Sequence, residues 1–392
     1  MANLMIDPAN TASHQLKNGA AGKCDSAPEF RIVPRAAIDS ERWDGLVNDS
    51  AEGWLYQTSF WIDYGQSLGS IDHSFGVVGH KGDLLAILPL FEVGYRRLRY
   101  LHFRQLSTGM GGPAWASMLS RRQRRQVSCA LAEEVDRIAA RIHADSLDAQ
   151  TTMTAPAYLP EQCPRLNPLH ELGWYGQPRR NIPDLPAKLV NLVNLSGSEA
   201  AILQQFAEAA RQRIRYSQSR HSCQARAMNS THDLATFARL QERNWVRTGM
   251  IPHQISIYEG LWRRFWPKAL FGILVEREQR AIAAGLFLVY KMSAYYYAGG
   301  WENKPEAQGA MAYLMWEAMR EARRRGCRWF DVGISYSHPD IGQKEFNVGR
   351  FKENFHGIQL PLFLGQKVYR PKRWLAIEFL SIMCGRGYSR LK

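Results

Sequence analysis

The residues from Ser293 to Ile334 hold the order most able to support chemistry. Ser293-Ala-Tyr-Tyr-Tyr-Ala-Gly-Gly-Trp301 has the aromatic character of a strand and closes on two glycines. A loop with Pro305 follows, and a helix is expected to open near Gly309, burying Met311, Leu314, Met315, Ala318 and Ala322 at helical spacing. Glu321 and Arg325 make an i,i+4 pair on its outer face, and Gly326 supplies its stop. The strand Trp329-Phe-Asp-Val-Gly333 comes directly after. A helix that starts behind a strand and a small-residue loop offers unpaired backbone N–H groups and the positive end of its dipole, which suit a pyrophosphate or a carboxylate. Gly309 and Ala310 stand at that start and are the candidates to cradle such a group. The plainer role for Gly309 is close packing of helix on sheet. Asp331, near the C-terminal end of its strand, is the candidate to take a proton from a nucleophile or to orient it, with His338, Glu345 and His356 as alternatives close by in the chain.

A second cluster is cationic. Arg211, Arg213, Arg215 and Arg220 follow one another with no acid between Arg211 and Arg226. Guanidinium forks grip phosphate bidentately, so these side chains suit a phosphorylated ligand; a solvated basic face is the alternative. The whole chain of 392 residues carries 50 Lys and Arg against 36 Asp and Glu, a formal charge of +14 that attracts anionic partners over long range. Its 12 Trp and 16 Tyr exceed what packing needs, and Tyr297, Trp301, Phe351 and Phe355 are the rings expected to line a cleft. The six cysteines are scattered without a CxxC pair, so no metal site is expected and a reduced, cytoplasmic setting is. No run of 18 apolar residues occurs, and residues 1–28 look like a loose tail without a secretory pattern. Near the other end, Trp374–Cys384 is a short apolar stretch flanked by Lys367, Arg370, Lys372, Arg373, Arg386, Arg390 and Lys392, so 366–392 is expected to touch an anionic membrane surface or to dock on the protein's own core.

The elements that must position these residues form two comparable series. In the first, a strand over 30–33 and a helix over 40–47 precede a helix capped by Thr58 or Ser59. A hairpin over 75–80 and 84–92 turns on Lys81-Gly82-Asp83, a glycine loop over 109–113 implies a close backbone approach, and a long helix spans 121–144. Pro-rich stretches over 155–168 and 178–186 place a boundary near 185. The second series has a strand over 189–195, one basic helix over 199–218, a helix over 232–247, a hairpin over 270–276 and 280–290, then the strand–helix–strand described above. Both series run helices, hairpin, strand and helix, so the fold class is α/β (α+β) with two copies of one unit, each a mixed, mostly antiparallel sheet flanked by helices. The expected division is 1–28, 29–185, 186–365 and 366–392.

Four motifs in order resemble the Fem-type transferases of the GNAT superfamily and related acyltransferases of exopolysaccharide and cellulose synthesis. They are Phe60-Trp61 in the early helix, Gly82-Asp-Leu-Leu-Ala-Ile-Leu-Pro-Leu90 in the hairpin, Leu195-Ser-Gly-Ser followed by Ala210-Arg-Gln-Arg-Ile-Arg215, and Phe351-Lys-Glu-Asn-Phe-His-Gly357. The resemblance covers about 50 to 365 and implies two tandem GNAT-like domains and transfer of an acyl group to an amine. By resemblance, Lys352 stabilises the oxyanion of that transfer, and Arg211 and Arg215 contact substrate phosphates. It implies no permanently bound cofactor; the co-substrate is an acyl-CoA thioester or, alternatively, an aminoacyl-tRNA, and the acceptor an anionic or lipid-linked precursor of the envelope or an exopolysaccharide. Glu306-Ala-Gln-Gly-Ala-Met-Ala312 does not reproduce the acetyl-CoA loop of ordinary GNAT enzymes, which leaves the donor open. No GxSxG elbow or Ser-His-Asp order occurs, so no covalent acyl-enzyme is expected. A non-catalytic nucleic-acid- or membrane-binding protein on the same scaffold is the remaining alternative.

Overall fold

The computed structural model describes residues 30–98, 101–162, 166–175, 188–247, 249, 251–336 and 343–376. The expected N-terminal tail, the boundary near 185, His338 and residues 377–392 lie outside the described residues, as does the side chain of Glu345.

The first half runs β1 (Phe30–Pro34), α1 (Ser40–Asp49), α2 (Ser59–Ser67), β2 (Ile71–Asp72), β3 (Phe75–Gly79), β4 (Leu84–Leu88), β5 (Phe91–Leu98), β6 (Leu101–Ser107), β7 (Ala114–Trp115), α3 (Arg121–Ile142) and β8 (Ser146–Gln150). The second half begins with β9 (Lys188–Asn194), α4 (Glu199–Gln205), α5 (Glu208–Arg215), β10 (Gln224–Ala227), α6 (Thr231–Arg247) and α7 (Ile255–Phe265). It continues through β11 (Leu270–Arg277), β12 (Arg280–Tyr290), β13 (Ser293–Trp301), α8 (Ala310–Arg324), β14 (Trp329–Asp331), β15 (Ser335–Tyr336), α9 (Gln343–Glu353), β16 (Ile358–Pro361) and β17 (Leu364–Val368). Caps set the starts where expected: the Thr58 hydroxyl accepts the Trp61 N–H at α2, and Ser120 with Gln123 forms a capping box at α3.

The tandem organisation is present. In each half a helix crosses between two parallel strands, α3 between β6 and β8 and α8 between β13 and β14. The second half is one sheet in the order β10-β11-β12-β13-β14-β9-β15, with β16 also on β9. The first half departs from the single sheet expected. The apolar run over 84–92 breaks at Pro89-Leu90, so β4 belongs to a four-stranded sheet and β5 to a separate five-stranded one. Two other segments differ as well. The basic helix over 199–218 is interrupted after Gln205 and ends in a π-turn over Tyr216–Arg220, because the Ala207 N–H turns aside to donate to the Asn354 carbonyl (2.9 Å). Between the helix over 232–247 and the hairpin lies a further helix, α7.

The segment from 366, expected to touch a membrane surface or to dock on the protein's own core, begins as sheet. β17 lies antiparallel on β8, Leu364 opposite Gln150 and Val368 opposite Ser146, and so completes the first half. Lys367 and Tyr369 both reach Asp136, Arg373 pairs with Asp145 at 3.0 Å, and the Trp374 ring packs tilted against Phe103, 5.4 Å away. Among the described residues this stretch docks on the protein's own core, and no helix is long and apolar enough to cross a membrane.

The halves meet through rings. Trp61 of α2 lies 5.4 Å from Phe265 and 6.3 Å from Tyr297, and the Tyr64 hydroxyl donates to the Ile257 carbonyl (2.9 Å). Lys291, in the β12–β13 turn, donates to the Val47 and Ser50 carbonyls at the end of α1, and burial pushes its ammonium down to about 8. Behind this seam α6 lies directly on β13: a Cβ on Gly300 would overlap the backbone of Leu240 and Gln241. Gly300→Ala is therefore expected to push α6 off the sheet and cost about 1–3 kcal/mol, seen as an earlier urea midpoint. An unchanged midpoint would show that α6 is free to shift.

Candidate active site

The site forms where the parallel strands part. β13 and β14 pair over three positions, ending with Tyr295 opposite Asp331, while β13 continues to Trp301. Asp331 is thus the last paired residue of its strand, and its side chain is 3 % exposed. The chain turns at once. Gly333, at φ +93, donates its N–H to Asp331 Oδ1 (2.7 Å). Burial pushes the Asp331 carboxyl up to about 6, against the opposing pull of the Gly333 amide, the Lys352 charge and the Asn191 amide on β9.

Lys352 arrives from the last turn of α9, and its Nζ donates to the Ile334 carbonyl (2.7 Å). A Cβ on Gly333 would stand 2.9 Å from that Nζ, so the glycine admits the ammonium to the end of β14. The helix is held from behind. Phe355 is wholly buried, 5.2 Å from Phe206 and 5.4 Å from Phe351, and the Asn191 amide donates to the Lys352 carbonyl (3.0 Å). Phe351 and Phe355, expected to meet substrate, instead lie against the core and anchor the helix that carries the lysine.

The other expected residues fall into two groups. Tyr297 lies on the seam beside Asp331's face, hydrogen-bonded to Tyr64. Trp301 ends β13 under the Arg247 guanidinium, 5.2 Å away. Gly309, at φ +86, caps α8 next to Ala310, and a Cβ there would collide with the Arg213 carbonyl. The glycine therefore serves close packing, against α5 rather than the sheet. Arg211 and Arg215 stand on the exposed side of α5 and share Glu208, which their charge pulls down from the usual carboxylate range. That acid sits three residues before Arg211, just outside the acid-free stretch. His356 is exposed at φ +48, away from Asp331's strand.

Three residues were missed. Asn191 holds both Asp331 and Lys352 in place. Tyr295 and Tyr56 flank Asp331, and burial together with that carboxylate pushes their hydroxyls far up. Tyr56 comes from the first half, so its place was invisible until the halves met. A separate cavity of about 540 Å³ lies beside α6, where Arg226, Arg243 and Arg280 are tied to Asp233, Glu276 and Glu302.

Residues 204–346 match the family model described as an acetyltransferase (GNAT) domain. That match runs from the end of α4 to the start of α9, includes Asp331, and marks this part of the chain as a GNAT-type acyltransferase domain. The fold is similar to that of FemX, with a TM-score of 0.65, 14% identity and coverage of 89% of this chain and 100% of that one. A tandem GNAT protein from the clavulanic acid biosynthesis pathway aligns at a TM-score of 0.52 and 12% identity, over 87% of this chain and 98% of the other. At such identities the likeness is one of fold. No curated protein matches the sequence.

Because the Asp331 carboxyl sits at about 6 in the fold against an ordinary 3.8, the folded chain holds its proton more tightly than the unfolded one. The stability this contributes is full below 3.8 and is lost as pH rises to about 6, a difference of about 3 kcal/mol. Asp331→Asn keeps the shape without the charge. It is expected to melt higher than the native chain at pH 8 and to lose that advantage by pH 4, as thermal scans across the range would record.

Proposed function

We propose that this protein moves an acyl group from an acyl-CoA thioester to an amine on an envelope or exopolysaccharide precursor. The observation that carries the reading is the meeting of a buried carboxyl from the matched GNAT region with the ammonium tip of Lys352, at the point where β13 and β14 separate. As the amine attacks the thioester carbonyl, an N–C bond forms and the oxygen becomes an oxyanion. Lys352 faces that negative charge in a site partly closed to water, where a fixed cation stabilises it far more than in bulk solvent. Asp331, ionised above about 6, takes the proton that the nitrogen must lose. The C–S bond then breaks, the amide is released, and the thiolate recovers the proton as free CoA.

The same two groups would serve an aminoacyl-tRNA donor, with an ester oxygen leaving in place of sulfur. The connection before α8 lacks the usual acetyl-CoA loop, so the donor is decided by which product appears, free thiol or deacylated tRNA. The acceptor is proposed to be anionic, in keeping with the charge of +14. The setting is proposed to be cytoplasmic, at the inner face of the membrane.

Lys352→Ala is expected to lower kcat/KM about 100-fold with an unchanged circular dichroism spectrum. Full turnover in that variant would remove the oxyanion role. The native rate is expected to climb with pH through about 6 as Asp331 ionises, and Asp331→Asn to flatten that limb at a much lower rate.

A further inference from the structure

The segment bearing Tyr56 is held more firmly than a link between two helices requires. Gln57, wholly buried, accepts the Trp54 N–H through Oε1 (2.6 Å) and donates from Nε2 to the Glu52 and Gly111 carbonyls, both at 3.0 Å. A Cβ on Gly111 would stand 2.8 Å from Gln57 Cγ, so the glycine loop over 109–113 exists in part to admit this amide. The Trp43 indole donates to the Gln57 carbonyl (2.7 Å), and the Thr58 hydroxyl closes the turn on Leu55 (2.7 Å).

This framework aims Tyr56 out of the first half and into the second. Its ring lies 4.7 Å from Trp61 and 6.3 Å from Tyr295, and its hydroxyl lies within the electrostatic reach of Tyr295, Tyr297 and the Asp331 carboxyl. The residue is 2% exposed, yet that hydroxyl has no hydrogen-bond partner among the described residues. A buried hydroxyl left unbonded costs free energy, and phenylalanine would fill the same space without that cost. Residues that weaken a fold at a reactive centre are kept for what they do there.

We propose that Tyr56 is a substrate-binding residue supplied by the first half, whose hydroxyl donates to an oxygen of the acceptor next to its amine and holds the nitrogen against Asp331. The acceptor class that follows is an amine with a neighbouring hydroxyl or carbonyl, as in an amino sugar or an amino acid amide. This rests on the transfer reading above.

Tyr56→Phe removes the hydroxyl and keeps the ring. With acetyl-CoA as donor and glucosamine and glycinamide as acceptors, the variant is expected to show an acceptor KM raised about tenfold. The KM for acetyl-CoA should hold, and Tm should equal or exceed that of the native chain. A hydroxyl that serves only the fold gives the reverse, an unmoved KM and a Tm lower by about 2–4 °C; either result overturns the proposal. If the native protein acylates none of these amines, acetyl-CoA is not its donor for them, a failure of the CoA form of the transfer reading that is separate from Tyr56. The melting comparison then decides for Tyr56, a higher Tm in the variant upholding an unbonded hydroxyl and a lower one refuting it.

Discussion

A carboxyl group taken out of water has to be answered by dipoles or by charge, and much of the second half is arranged around answering one. Asp331 is met by an amide of β9, by the amide of Gly333 two residues on, and by the ammonium of Lys352. Each answer constrains a different element. The β9 amide requires β14 to lie against β9 in a fixed register, with Asp331 opposite Leu192. The Gly333 amide requires a backbone turn that a side chain would strain and that would leave no room for the lysine. The ammonium requires α9 to be pinned at its end, which Phe355 does from the core. The brevity of β14 belongs to the same arrangement: three paired residues leave the rest of β13 open on that side of the sheet.

The aromatic excess of the chain acquires a reason in the seam between halves. Tyr56, Trp61 and Tyr64 from one side interleave with Tyr258, Phe265, Tyr295 and Tyr297 from the other. Edge-on ring pairs of this kind each contribute about 0.5–1.5 kcal/mol beyond the area they bury, and their hydroxyls bring polarity to an otherwise apolar joint. The cationic excess is spread differently. Among the described residues Arg211, Arg215, Arg226 and Arg320 are each tied to acids, so these four guanidinium groups do not form a bare positive patch.

Local pattern carried the order of elements and the crossover units well. The helix over 310–324, the hairpin over 270–290 and the capped start at Thr58 follow from periodicity, turn residues and caps, which act within a few residues. Asp331 and Lys352, which the structure brings together at the end of β14, were both named from sequence, one from its place at a strand end and the other from a motif resemblance. Partners brought from far along the chain were not. Glu208 disarms Arg211 from only three residues away yet fell just outside the stretch inspected, while Tyr56 and Asn191 reach the site across 275 and 161 residues respectively (331 less 56, and 352 less 191). Spacing in sequence says nothing about such meetings, because they are decided by how whole sheets dock. The same reason hid the split of the first half into two sheets, which turns on one Pro89-Leu90 step.

β17 belongs by sequence to the far end of the chain and by hydrogen bonding to the first half. During synthesis, then, β8 emerges from the ribosome with one edge bare and must wait for the entire second half before that edge is covered. An uncovered strand edge is a template for the wrong neighbour. A chain stitched in this way reaches its native state late and as a unit, and a prematurely ended one would present an adhesive surface rather than a smaller working protein.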